Sequence, residues 1–327
     1  LSSAGIRTIT LHSIVRDISI TQEWRAFLEL VRIIRTETPD VLHLNSSKMG
    51  VLGTLAGRVA GVPRIVFTAH GWPHREHRGF LITAIIWLAS WLTVQLSHVV
   101  IAVSRRDWID APVIFSRRTI YVVRNGMALF TPLKREVARS HLKELAPKLD
   151  LDSYLLIVNA ELHPNKSIHS VIEAVHTLSE KYPNLQLVII GSGQESGRLE
   201  QNIVLANLES KVFMLGFVPD ARRYLAAADI LVLPSLKEGL PLVLLEAGVA
   251  GIPAIASNTG GIPEIIIPDE TGLLITPGNT KSLVEALETM LQNPDKAAVF
   301  AKNLHTQVAN NFTEAQMLKE TFALYTR

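Results

Sequence analysis

Residues 230–257, ILVLPSLKEGLPLVLLEAGVAGIPAIAS, contain the repeating unit of the architecture. The run ILVLP is apolar, as a strand buried on both faces would be. Pro241 fits the first position of a helix, where its missing N–H costs nothing, and Gly251 with Pro253 ends that helix before a second apolar run, PAIAS. The segment reads as strand, loop, helix, strand. The same alternation extends along the chain on either side. Strands are expected at IRTITL (6–11), DVLHL (40–44), RIVFTA (64–69), HVVIAV (98–103) and TIYVVR (119–124), then at YLLIVN (154–159), LQLVII (185–190) and KVFML (211–215). Longer amphipathic segments fill the gaps, so the fold class is α/β, with parallel sheets covered by helices on both faces.

A chain of 327 residues is long for one core and suits two domains. The polar, basic stretch Lys134–Asp152 carries no strand signal, and Asn125-Gly126 just upstream has turn composition. The connection is expected there, giving domains 1–127 and 128–327. Hydrophobic residues make up 48% of the chain, and 32 Lys and Arg nearly balance 30 Asp and Glu, so nothing points to disorder or to nucleic acid. The absence of cysteine excludes disulfides, thiol nucleophiles and thiolate metal sites, and fits a cytoplasmic protein. The N-terminus has no initiator Met and no signal-peptide pattern, and reads like the middle of a domain. Leu81 to Leu96 holds no charge but is short for a membrane span of about 20 residues. It is expected to be a buried helix, or one whose outer face touches lipid, with Trp87 and Trp91 at i, i+4 spacing as a core pair or an interfacial anchor. Arg75, Arg78, Arg105 and Arg106 lie nearby in sequence and would favour an anionic surface.

Ligands of open parallel sheets bind beyond the carboxyl ends of the strands. The residues following the predicted strands are small, polar or charged: Ser46 to Lys48, His70, Ser104 and Asn125 in the first half; Glu161, Lys166, Gly191, Gly193, Gly216, Ser235, Glu238, Gly260 and Gly261 in the second. Glu238 falls just ahead of the helix that starts at Pro241, and Glu246 in its second turn. At about 1.5 Å rise per residue the two carboxylates stand roughly 9 to 12 Å apart along the axis, too far to share a proton but suited to gripping two polyol rings of one extended ligand. Leu242 to Leu245 and Ala247 make the helix apolar on most sides, so Glu246 is expected to be partly buried and to need a donor. The Asp150-x-Asp152 pair has metal-binding composition but lies ahead of YLLIVN, where a solvated linker is favoured. His74, His77 and His98 show no metal-ligand arrangement, and no metal or cofactor is expected.

The sequence PSLKEGLPLVLLEAGVAGIPAIAS (234–257), followed by GGIPEII (260–266) and TGLLITPG (271–278), resembles the signature of the retaining glycosyltransferases of family 4, the group-1 transferases. The likeness continues through NAELHPNKSIHSVIEA (159–174), LVIIGSGQESGRLE (187–200) and VFMLGFVPDARRYLAAADILVLPS (212–235), and through VLHLNSSKMGVLGTLAGRVAGVPRIVFTAHGW (41–72) and IYVVRNG (120–126). It covers essentially the whole chain, the second half more strongly.

The resemblance implies the GT-B fold, two facing Rossmann-like domains with a cleft between them. It implies a nucleotide-sugar donor, a UDP-sugar by preference, from which a hexose passes with retention to a lipid-linked or polysaccharide acceptor in cell-surface glycan synthesis. It assigns the donor hexose to Glu238, the ribose to Glu246 and the diphosphate to Lys166. Gly239, Leu240 and Pro241 would face hexose and diphosphate, Gly191 and Gly193 would let backbone approach the ligand, and Phe217, Val218 and Pro219 would lie along the base. His70 would meet the donor sugar and diphosphate. An epimerase or hydrolase of the same fold, or a nucleotide-sugar-binding protein without catalysis, are the alternatives. Two departures stand out: the usual Gly-Arg before the lysine is Ala160-Glu161, and the opening strand with its glycine-rich loop has no counterpart, which implies an N-terminally incomplete first domain. The expected place is cytoplasmic, peripheral at the inner face of the plasma membrane.

Overall fold

The computed structural model describes residues 5–13, 20–76, 79–114 and 119–326. The chain forms two compact units, residues 1–123 with 321–327, and residues 124–320.

The first unit contains α1 (Ile20–Glu37), β1 (Val41–Leu44), α2 (Ser47–Ala60), β2 (Arg64–Ala69), α3 (Phe80–Leu96), β3 (Val99–Ala102), α4 (Arg105–Ile109) and β4 (Ile120–Val122). Its strands pair in parallel in the order β1-β2-β3-β4. α2 begins where the Ser46 side chain accepts the Met49 N–H and ends at Gly61 in the left-handed conformation, each cap satisfying groups a helix end leaves bare. The core gathers Ile65, Phe67, Val100 and Ala102 under Leu30, Ala56 and Trp72. IRTITL does not become a strand. It joins no described sheet, and Ile6 and Ile9 are 52% and 47% exposed, so the segment has neither a ladder partner nor a buried face.

α3 carries no charge and is mostly apolar, yet only Ser90, Thr93 and Val94 are buried. Phe80 and Leu81 are 85% and 76% exposed, and Ile85, Leu88 and Leu92 continue an exposed stripe at helical spacing. Trp87 and Trp91 are half-buried. Among the described residues no helix is long and apolar enough to cross a membrane.

The second unit contains α5 (Arg135–Leu145), β5 (Tyr154–Asn159), α6 (His169–Leu178), β6 (Leu185–Ile190), α7 (Ser196–Leu205), β7 (Val212–Gly216), β8 (Ile230–Leu233), α8 (Leu242–Ala250), β9 (Ala254–Ser257), α9 (Ile262–Ile265), β10 (Leu273–Ile275), α10 (Thr280–Gln292) and α11 (Pro294–Asn311); α12 (Glu314–Ala323) follows. Six parallel strands run in the order β10-β9-β8-β5-β6-β7. From β5 the chain winds outward through β6 and β7, then returns to β8 on the other side of β5 and winds outward again. β6, β8 and β9 are buried along their whole length, which is why they read as unbroken apolar runs. The stretch Lys134–Asp152, read as a bare connection, builds α5 inside this unit. The buried Ala138 and Leu142 give α5 an inner face, and the Arg139 guanidinium donates to Asp229 at 2.9 Å and to the Ala227 carbonyl at the same distance.

Candidate functional site

Reversal of strand order between β5 and β8 makes a topological switch point, the place where open α/β sheets bind ligands. Lys166 and Glu238 come from the loops that leave these two strands. After β5, a short 3₁₀ turn at Pro164–Lys166 is shaped by His163, whose Nδ1 accepts the Asn165 N–H. The Asn165 carbonyl accepts the Leu236 N–H at 2.7 Å, joining one loop to the other. Lys166 Nζ then donates to Glu238 Oε1 at 2.6 Å, and Ser235 Oγ, fully buried, donates to the same oxygen at 2.6 Å. The Glu238 side chain is only 9% exposed, and a carboxylate so enclosed requires both the cation and the hydroxyl.

The loop 236–240 is held from outside by the loop after β9. Leu236 O accepts from Thr259 Oγ1 at 3.2 Å, and Gly239 O accepts the Gly261 N–H at 2.6 Å. Gly260 passes so close that a Cβ on it would stand 2.0 Å from Glu238 O, and its φ of +56 also favours glycine. Across a trans peptide the N–H opposes the C=O, so the N–H groups of Gly239 and Leu240 are turned away from that loop. No described residue accepts from either. Two adjacent bare N–H groups ahead of a helix start form a local positive pole suited to an anion or a hydroxyl.

α8 starts one residue later than expected: Pro241, with ψ 123, is its N-cap and not its first helical residue. Its end at Gly251, φ +70, is as read, with Gly251 N–H to Gly248 O and Ile252 N–H to Ala247 O closing the last turn. Glu246 lies in the second turn, half-buried, and no described residue donates a hydrogen bond to its side chain. Burial raises its pKa above the ordinary carboxylate value; the Arg222 charge pulls it down and Asp220 pushes it up. Arg222 itself pairs with Asp220 at 2.9 Å and lies over the Phe130 ring. On the neighbouring loop Phe217 is 77% exposed, Val218 is buried and Pro219 is exposed.

At Gly191 and Gly193 protein backbone comes close enough to require glycine. A Cβ on Gly191 would lie 1.9 Å from Ala160 O, and one on Gly193 would lie 2.4 Å from Leu162 O. The space they leave is filled by the loop after β5, which bonds across through Leu162 N–H to Ser192 O at 3.0 Å.

In the first unit His70 follows β2 and remains exposed, while neighbouring protein lowers its pKa through desolvation. A half-buried polar chain that the sequence did not single out lies close by. His43 in β1 binds Thr68 Oγ1 through Nε2 at 2.7 Å and Tyr325 Oη through Nδ1 at 2.6 Å. Its pKa is lowered by burial and then by the charge of His70. A histidine inside the apolar run VLHL was the available signal.

No cluster of three metal-ligating side chains occurs among the described residues. Asp150 Oδ1 accepts the Asp152 N–H at 3.0 Å in an exposed turn. His98 accepts the Ile65 N–H through Nδ1 and meets Arg58 through Nε2, a structural use. His77 and Arg78 lie outside the described residues.

Residues 143–307, just over half of the chain, match the family Glycosyl transferases group 1, and residues 4–129 match Glycosyltransferase Family 4. The chain belongs to the glycosyl transferases group 1 family, and its two parallel-sheet α/β units are those of the GT-B class. It is 28% identical over 329 residues to the Escherichia coli UDP-Gal:alpha-D-GlcNAc-diphosphoundecaprenol alpha-1,3-galactosyltransferase, covering 98% of this chain and 84% of that protein. Sucrose-phosphate synthase from Thermosynechococcus elongatus is similar in structure, with TM-score 0.84 and 22% identity over 97% of this chain and 82% of that one. Anabaena HepE, solved with UDP-glucose, gives TM-score 0.81 and 22% identity over 92% and 82%. At these identities the two structures speak for the fold.

Proposed function

We propose that the protein transfers a hexose from a UDP-sugar to a lipid-linked or polysaccharide acceptor, with retention of anomeric configuration, in the synthesis of a cell-surface glycan. The observation that carries this reading is the pairing of two unlike carboxylates. Glu238 is preset on one oxygen by Lys166 and Ser235, and Glu246 is half-buried with its acceptor capacity unused. Ribose hydroxyls would supply the donors Glu246 lacks. Glu238 would take hexose hydroxyls on its other oxygen, and Lys166 with the N–H groups of Gly239 and Leu240 would receive the diphosphate. Phe217, Val218 and Pro219 would lie along the base.

In the proposed reaction the bond to the diphosphate lengthens, positive charge develops on the sugar, and the leaving phosphate takes the acceptor proton. His70, with its lowered pKa, is neutral at pH 7 and is assigned a hydrogen bond to the hexose. The donor is a substrate, and the scheme calls on no cofactor or metal. The name of the galactosyltransferase relative, which includes a diphosphoundecaprenol, favours a polyprenyl acceptor here.

The exposed stripe of α3 supports a peripheral contact with lipid on the cytoplasmic side of the plasma membrane. Arg58, exposed, donates to Leu96 O at 2.7 Å at the end of this helix, which puts a cation beside the apolar stripe. Flotation with anionic liposomes that weakens in high salt is expected; no flotation at low salt removes the contact. Labelled UDP-sugars with membrane extract test the transfer. Unchanged product from Glu238→Ala would sink the site assignment, and donor breakdown without an acceptor would point to a hydrolase or epimerase instead.

A further inference from the structure

Asn125 and Gly126 have the composition of a turn, but the structure gives them another task. Residues 123–126 form no turn, and a Cβ on Gly126 would stand 2.2 Å from Thr313 O, because the backbone runs close beside residues 312–314. Met127 N–H donates to Phe312 O at 2.9 Å, and Glu314 N–H to Met127 O at 3.2 Å. On the other side Arg124 pairs with Glu264 at 2.6 Å. Asn125 is therefore seated between two anchored neighbours. From there its side-chain Nδ2 donates to Leu240 O at 2.8 Å. A carbonyl only accepts, so the amide nitrogen is the end that must face it.

Leu240 O has few other ways to be satisfied. The first bond of α8 goes to Pro241 O from Leu244 N–H, so the helix ladder does not take up Leu240 O. Leu240 is 4% exposed, which keeps water scarce. The two peptides that flank Leu240 are thus fixed separately, one by Gly261 at Gly239 O and the other by Asn125 at Leu240 O. Together they set the direction of the Leu240 N–H and the entry into α8.

We propose that Asn125 is a positioning residue for the donor loop, holding the Leu240–Pro241 peptide so that the bare N–H groups of Gly239 and Leu240 keep their places. This rests on the nucleotide-sugar reading of that loop. Its tests are Asn125→Ala and Asn125→Asp, the latter equal in shape but presenting an acceptor to a carbonyl. In the ligand-free full-length chain, amide exchange over residues 236–245 should quicken about tenfold in both variants. Affinity for UDP-glucose and UDP-galactose by calorimetry should fall about tenfold, with UMP changed less than about twofold and the melting midpoint little moved. Should the aspartate variant not fold, the alanine variant carries the same readouts. Unchanged exchange, an aspartate variant that behaves like the parent, or equal loss of all three ligands together with a lower midpoint would each overturn the role. Faster exchange with undiminished UDP-sugar binding overturns the role alone. A parent protein that binds neither UDP-sugars nor UMP overturns the nucleotide-sugar reading, and this role with it.

Discussion

The two sheets end in loops of different construction. Past the six-stranded sheet, the loops after β5, β8 and β9 hold one another through the candidate residues and the backbone beside them: Lys166 donates to Glu238, Leu236 N–H to Asn165 O, and Gly261 N–H to Gly239 O. Past the four-stranded sheet, the ties run through groups set apart from its candidate residue. Trp72 Nε1 donates to Asp107 O at 2.7 Å, joining the loop after β2 to α4, and Ser104 caps α4, while His70 stays exposed. Near His70, His43 bonds both Thr68 and Tyr325. A loop whose backbone and carboxylate are preset can receive a ligand with little reorganisation, which would favour tight binding of the proposed donor.

The largest effect should come from cutting the central tie on the six-stranded side. Glu238→Ala leaves Lys166 and Ser235 without their shared acceptor and should lower transfer by about 10²- to 10³-fold in a steady-state assay. Next is Gly260→Ala, which sets a Cβ against Glu238 O in a backbone conformation that resists it; the second unit should lose about 3 kcal/mol or more by chemical denaturation. A loss under about 1 kcal/mol would show that the loops are less tightly joined than described.

Glu246→Gln should weaken UDP binding about tenfold without lowering stability at neutral pH. Its folded-state pKa lies above the ordinary 4.5, so the folded protein holds the proton more firmly than the unfolded chain, and its contribution to stability diminishes as pH rises through that interval. Donor affinity of the parent should move the opposite way and decline on acidification starting above pH 4.5, where the glutamine variant should be flat. The smallest effect belongs to the four-stranded side. His43 and His70 have folded pKa values below the ordinary 6.5, so the unfolded chain binds protons more readily, and stability falls as pH drops through 6.5. The slope should stay within about 1.4 kcal/mol per pH unit for each histidine, and His43→Gln should reduce it in denaturation series from pH 7.5 to 5.5.

Much of this architecture could be read from residue order. β5, β6, β8 and β9 are covered on both faces and so appear as continuous apolar runs, and Gly251 marks the end of α8 because only a residue tolerant of positive φ closes that turn. β10 escaped because three residues, Leu273–Ile275, are too few to show a period, and IRTITL misled because β-branched composition cannot report whether a partner strand is there. For the candidate site, charge at a strand end and spacing on a helix singled out Glu238, Lys166 and Glu246. The bond between Lys166 and Glu238 was not legible there, since it joins loops far apart in the chain, and Thr259, Gly261 and Asn125 likewise act on the loop through contacts distant in sequence. Gly191 and Gly193 show the same limit: the sequence called for close backbone approach, and only the structure identified what approaches.

The central claim is a division of labour between the two carboxylates, Glu246 for the nucleoside and Glu238 for the sugar. Calorimetric titration of the parent, Glu246→Gln and Glu238→Gln with UDP and with the preferred UDP-hexose tests it most directly. Glu246→Gln should weaken both ligands alike, and Glu238→Gln should weaken the UDP-hexose while leaving UDP nearly unchanged. Equal losses of both ligands in both variants, or no loss in either, would contradict it.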